Sequence, residues 1–290
     1  MSANSPTDSS PAGRSRALPI PLTFTGVVAF SRRPPAWLLS LWLVTALGSA
    51  AMLIWFVETR WIPVVEDTIQ GLPEGLILTE GSLESFSQNE SIRQSNRFLS
   101  LVVTSSSSTP ESSTADVQVI LTPHEARLHS LLGYLQLPYD HRLALNLSPS
   151  HLVPWWNSRK PLVRAAAFLV LVGNLLLAWM LLASLYAPPL FLVIYMSDRR
   201  AEFAKTWRLA GTALFPGALI MVLSIGLYTW HLMSLLGLLV ATAIHFLLPW
   251  IYLMGSVPHL PGVEGRLGQK ENPFASSLPD ANESRKTLED

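Results

Sequence analysis

Apolar residues fall in blocks separated by polar sequence, and the blocks are too uniformly apolar to be one face of a soluble helix. The first runs from Ala36 to Val57, 22 residues without a charge. As a helix it reaches about 33 Å, enough to cross a hydrocarbon layer of about 30 Å. The second, Leu162 to Met196, would reach about 52 Å as one helix, well beyond that layer. Pro188-Pro189 inside it removes two backbone donors and clashes with the preceding turn. The pattern therefore predicts a transmembrane helix over 163–187 and a kinked apolar continuation to 196, inserted or interfacial. The third block, 209–228, and the fourth, 232–254, are separated only by Thr229-Trp230-His231 and predict a tight helical hairpin.

Between the first two blocks, residues 58–160 have mixed polarity and no stretch long enough to cross a membrane. Trp61 to Gln70 predicts a short helix leaving the membrane. Leu76 to Thr79 reads as a strand that turns at Glu80-Gly81. Arg97–Thr104 and Asp116–Thr122 are rich in Val, Ile and Leu and read as two antiparallel strands. The Ser/Thr-rich stretch 104–115 between them has little to bury and reads as a mobile loop. Glu125 to Leu135 has helical spacing of leucines at 128, 131, 132 and 135, and Arg142–Leu147 alternates like a last strand. The expected fold is mainly α: four transmembrane helices, with a small α+β extracytoplasmic domain inserted between the first and second.

The ends differ from both. Residues 1–35 and 255–290 are rich in Ser, Pro and Gly and read as disordered. The run from Leu18 to Phe30 fits either a membrane-surface segment or a loose tail. Ser31-Arg32-Arg33 has the two arginines of an export signal, but Pro34-Pro35 follows and the apolar block is too long for a signal core, so it reads as an anchor.

Charge sets the orientation. Arg14, Arg16, Arg32 and Arg33 precede the first block, and Arg199, Arg200, Lys205 and Arg208 fill the link between the second and third. Basic residues near span ends accumulate on the cytoplasmic side, so both termini are expected there, in a multi-pass protein of the cell inner membrane. Residues 58–160 carry 11 acidic and 7 basic residues and suit the outer face. The whole chain has 20 basic and 20 acidic residues, which gives nucleic acid no electrostatic footprint. It has no cysteine, which excludes disulfides, thiolate catalysis and iron–sulfur clusters.

Candidate chemistry is sparse. His124-Glu125-Ala126-Arg127-Leu128-His129 resembles a zinc-peptidase helix, but its second His is at i+5, about 140° from the first around a helix. His141 and His151 read as surface histidines. His245 lies mid-way along the fourth block, where an ionisable group invites a functional reading. Asn174, Ser224 and Thr242 are its nearest polar candidates, all suited to hydrogen bonds between helices. Ala46/Ala50, Ala213/Gly217 and Gly237/Ala241 are small pairs suited to close helix packing. No catalytic residue, cofactor-binding motif or metal site is predicted.

The segments Leu72-Pro73-Glu74-Gly75, Glu80-Gly81-Ser82-Leu83, Phe203 to Ala210 and Ala213-Leu214-Phe215-Pro216 resemble a bacterial four-span membrane family of unknown function. Some members of that family lie in maltodextrin-utilisation gene clusters. The resemblance implies an accessory role near a sugar transporter and no catalytic residues. The residues themselves lead to a non-enzymatic envelope protein. Its partners would be the lipid bilayer and an envelope protein bound or sensed by the external domain. A transporter subunit is the alternative.

Overall fold

A computed structural model describes residues 20–84, 91–105, 114–200 and 202–262. The predicted disorder at 1–19 and 263–290 and the centre of the Ser/Thr loop, 106–113, lie outside the described residues.

Four helices are long and apolar enough to cross a membrane, and two small sheets accompany them. A short helix comes first, α1 (Phe24–Ser31), capped by Thr23, whose hydroxyl accepts from Gly26 N at 3.0 Å. This corrects the expectation of disorder up to residue 35. Val27 is fully buried, and Tyr252 and Ser256 donate to the carbonyls of Leu22 and Phe24. The apolar residues of α1 find a tertiary surface, so the segment folds despite its polar neighbours.

The first long helix, α2 (Pro35–Phe56), passes through a π turn (Val57–Trp61) into α3 (Ile62–Gly71) without interruption. The expected boundary at residue 58 thus falls inside one continuous helix. The next, α4 (Pro149–Met196), also overruns its expected limits. It starts before residue 160 and continues through Pro154, Pro161, Pro188 and Pro189. The expected break at Pro188-Pro189 does not occur. Tyr186, Ala187, Leu190 and Ile194 are buried on either side of it, and that packing holds the helical path where two donors are missing.

The third and fourth, α5 (Phe203–Thr229) and α6 (Leu235–Ser256), form the expected hairpin, with α6 starting at 235 rather than 232. Ser234 caps it, accepting from Gly237 N at 3.2 Å. The chain then continues through a 3-10 turn to Gly262, so the tail is ordered seven residues beyond its expected start at 255. Two thirds of the apolar stretch of α5 is buried (67%), against 6% for α4 and 11% for α6, so α5 is the central helix. Small residues let the others approach it: Ala46, Ala50, Ala183, Ala210 and Ala213 are fully buried. At Gly211 a methyl group would come within 2.7 Å of the Trp42 ring, and the Trp42 indole donates to the Gly211 carbonyl at 3.0 Å.

The segment between α3 and α4 holds two sheets. A small one orders β2 (Ser82–Glu84), β1 (Ile77–Thr79) and β8 (Leu145–Asn146), the last being the residue of the strand expected over 142–147. The larger orders β3 (Ser91–Ser95), β4 (Leu99–Thr104), β5 (Val117–Leu121), β6 (Glu125–Ser130) and β7 (Gly133–Pro138). Two expectations are overturned here. First, β4 and β5 pair in parallel, and the long connection is the return path a parallel pair requires. Second, Glu125–Leu135 is a hairpin rather than a helix. Gly133 takes φ 136°, open to glycine, and closes the turn after Leu131-Leu132. Leu128 and Leu135, spaced seven apart as on a helix face, sit directly opposite each other across the two strands.

The larger sheet is fastened to the bundle at the far end from α1. Phe98 packs edge-on against Phe56 and Tyr228, with ring centroids 5.4 and 4.9 Å away. The Arg97 guanidinium donates to the carbonyls of His231 and Met233 in the α5–α6 link.

Candidate functional site

Ladder register places Leu101, Val119, Leu128 and Leu135 in one row across β4 to β7. Val103, Leu121, Ala126 and Leu137 form the next row, and the period of two puts both rows on one face. On the β3 side this face continues through Ile92, the ladder partner of Val103, and α3 packs against β3 and β4. The cover runs out across the sheet. Val103 is 1% exposed, Leu121 and Ala126 are half-buried, and Leu137 is 53% exposed. Leu135 is 49% exposed, and the hairpin tip, Leu131-Leu132, is exposed as well.

The strand β7 ends the sheet, and all six of its residues are exposed. Alternation of the ladder leaves every second N–H and C=O of an edge strand without a sheet partner. Pro138, which has no N–H, closes the row.

The opposite face combines a buried apolar pair, Val102 and Ile120, with a polar row that is buried on β4 and β5 and exposed on β7. Ser100, Gln118, His129 and Tyr134 form a row there, with Ser100 fully buried and Gln118 9% exposed. Ser100 Oγ, Gln118 Nε2 and His129 Nε2 have no hydrogen-bond partner among the described residues. The His129 ring lies 4.5 Å from that of Tyr134. At the end of β7, the Tyr139 hydroxyl donates to the Thr122 carbonyl at 3.1 Å. Burial, helped by the nearby Glu125 carboxylate, pushes the Tyr139 phenol up to about 12.

His124 precedes β6 and His129 lies within it, so the zinc-peptidase resemblance has no helix to stand on. Among the described residues, no three His, Asp or Glu side chains are grouped to hold a metal ion.

The residues singled out inside the bundle are not brought together. Asn174 is exposed on α4, without a hydrogen bond among the described residues, rather than facing a neighbouring helix. His245 on α6 lies against α5, its Nδ1 buried without a hydrogen-bond partner among the described residues and its carbonyl 2.9 Å from where a Gly217 methyl would sit.

The basic cluster divides into two kinds. Arg199 donates to the Leu260 carbonyl at 2.6 Å, and Arg208 donates to the Arg33 carbonyl at 3.0 Å, so both are structural pins. Arg200 and Lys205 instead line a cavity of about 580 Å³. Arg32, from a distant part of the chain, lines the same cavity, a grouping that the order of residues gives no means to foresee.

The open sheet face was also hidden in the sequence, because its leucines read as a helix stripe. No family model, no curated protein and no solved structure matches the chain.

Proposed function

We propose that this chain is a non-enzymatic, multi-pass protein of the cell envelope whose extracytoplasmic sheets bind or sense a partner protein. The four long helices form the membrane base, with both termini in the cytoplasm. The charge pattern supports this orientation, since Arg32, Arg33, Arg199, Arg200, Lys205 and Arg208 all belong to the end of the bundle away from the sheets.

One observation carries the reading: aliphatic rows that end exposed on β7, beside a strand edge that no described residue pairs with. An exposed apolar edge strand is an aggregation hazard unless something covers it. The occupant that fits both features is an extended segment of a second protein. It would add a strand to β7 and place alternate apolar side chains beside Leu135 and Leu137.

The test is photo-crosslinking in cells with a reactive residue at Leu135 or Gln136, and at Arg93 on the opposite edge as a control. The expected result is one protein adduct, identified by mass spectrometry, from the β7 positions alone. Its purified product must then bind the full-length chain in nanodiscs, with binding lost in a Leu135→Asp, Leu137→Asp variant. Adducts only with lipid, only with a second copy, or equally from Arg93 would overturn the reading.

A further inference from the structure

The cavity at the basic end is built from four parts of the chain. The end of α1 gives Ser31 and Arg32, and the end of α4 gives Ile194. The α4–α5 link and the first turns of α5 give Arg200, Glu202, Lys205, Thr206 and Leu209, and the C-terminal segment gives Leu260 and Pro261. Its floor is fixed, because Arg199 holds the Leu260 carbonyl and Arg200 N donates to the Pro261 carbonyl at 3.2 Å.

The charges do not balance. Glu202 is paired with Lys205 at 2.6 Å, which leaves the guanidinium groups of Arg32 and Arg200 without an acidic partner among the described residues. Both are exposed and border the same 580 Å³ space. Apart from the charged residues and the hydroxyls of Ser31 and Thr206, the lining is apolar, with Ile194 and Leu209 each 1% exposed. Two arginines without an acidic partner among the described residues, beside apolar side chains, suit a ligand that is anionic at one end and greasy at the other.

Position selects among such ligands. The cavity lies where α4 ends and α5 begins, beside the start of α2, which is headgroup level if these helices cross the bilayer. We propose that it binds the phosphate headgroup of an anionic membrane phospholipid. Arg32 and Arg200 hold the phosphate, and the Ile194–Leu209–Leu260 side receives the glycerol and first acyl carbons. Guanidinium groups suit this task, since their planar fork matches phosphate oxygens two at a time. The proposal rests on the membrane reading of the four helices and not on the partner-binding sheet.

The test is native mass spectrometry of the full-length protein released from detergent, titrated with phosphatidylglycerol or phosphatidylcholine. The expected result is clear preference for phosphatidylglycerol, reduced by about fivefold for each arginine replaced by Gln and about 25-fold in the Arg32→Gln, Arg200→Gln variant. Arg32→Lys and Arg200→Lys, which keep the charge and lose the planar fork, should show a preference between those of the parent and the Gln variants. Arg159→Gln, at the other end of α4, should leave it unchanged, and inorganic phosphate should not displace the lipid. Equal binding of both lipids, no loss in the double variant, an equal loss at Arg159 or displacement by inorganic phosphate would each overturn the proposal. Resistance to alkaline carbonate extraction, measured on the same variants, tests the membrane reading separately.

Discussion

The Tyr228 hydroxyl donates a 2.7 Å hydrogen bond to the Asp116 carboxylate, joining the last turn of α5 to the start of β5 across 112 residues of chain. With Phe98 wedged between Tyr228 and Phe56, it couples the sheet to the central helix of the bundle.

Tyr228→Phe keeps the ring stack and removes the charge-assisted bond, at a cost of about 1.5–3 kcal/mol. Phe98→Ala opens a cavity at the same junction and should cost about 3–5 kcal/mol. Denaturant unfolding of the protein in detergent micelles reads both. A Tyr228→Phe protein as stable as the parent would show that the bond to Asp116 contributes nothing to the junction.

Gly211→Ala is expected to destabilise the bundle by about 1–3 kcal/mol, because its methyl would come within 2.7 Å of the Trp42 ring and force that ring or the backbone to shift. The indole would also lose its bond to the Gly211 carbonyl, so tryptophan emission should change along with the melting temperature. A neutral outcome in both would mean that α2 can slide away from α5.

Two groups beside the sheets make stability depend on pH. The Glu66 carboxylate accepts from Lys160 Nζ at 2.6 Å and from the Trp156 indole at 3.0 Å, and these bonds hold it below the usual carboxylate range. Its folded value is below its unfolded one, so its contribution is present above the unfolded value of 4.5 and is lost as pH falls through the folded value. Tyr139 acts at alkaline pH. Its folded value, about 12, lies above the unfolded 10.0, so stability falls as pH rises from 10 toward 12. Unfolding free energies measured across pH should fall less steeply at acid pH in Glu66→Gln and less steeply above pH 10 in Tyr139→Phe than in the parent.

The buried polar row has the opposite expectation. Gln118 Nε2 has no partner among the described residues, so its desolvation is uncompensated. Gln118→Leu should raise stability by about 1 kcal/mol in the purified protein, measured by thermal unfolding. A loss instead would show that the amide binds something between the strands.

The bundle was largely legible from residue order. A block such as Ala36–Val57 has one low-energy destination, because unbroken apolar sequence of that length satisfies its backbone only as a helix away from water. Where the sequence misled, two states competed for the same residues. Leu128, Leu131, Leu132 and Leu135 fit a helix stripe and a hairpin equally well, and pairing with β5 chose the hairpin. Pro188-Pro189 argued locally for a break, and burial of Tyr186, Ala187 and Leu190 overrode it. Parallel pairing of β4 and β5 left no local signal at all, since strand direction depends on the path of the connection.

The sequence by itself determined the four long apolar helices and the polarity of their flanks, because both follow from composition over contiguous stretches. The tertiary structure decided which side chains meet. It set Asn174 apart from His245, gathered Arg32 with Arg200 around one cavity, and left Leu135 and Leu137 uncovered on an edge strand. Each of these depends on contacts between residues far apart in the chain, and local periodicity carries no information about such contacts.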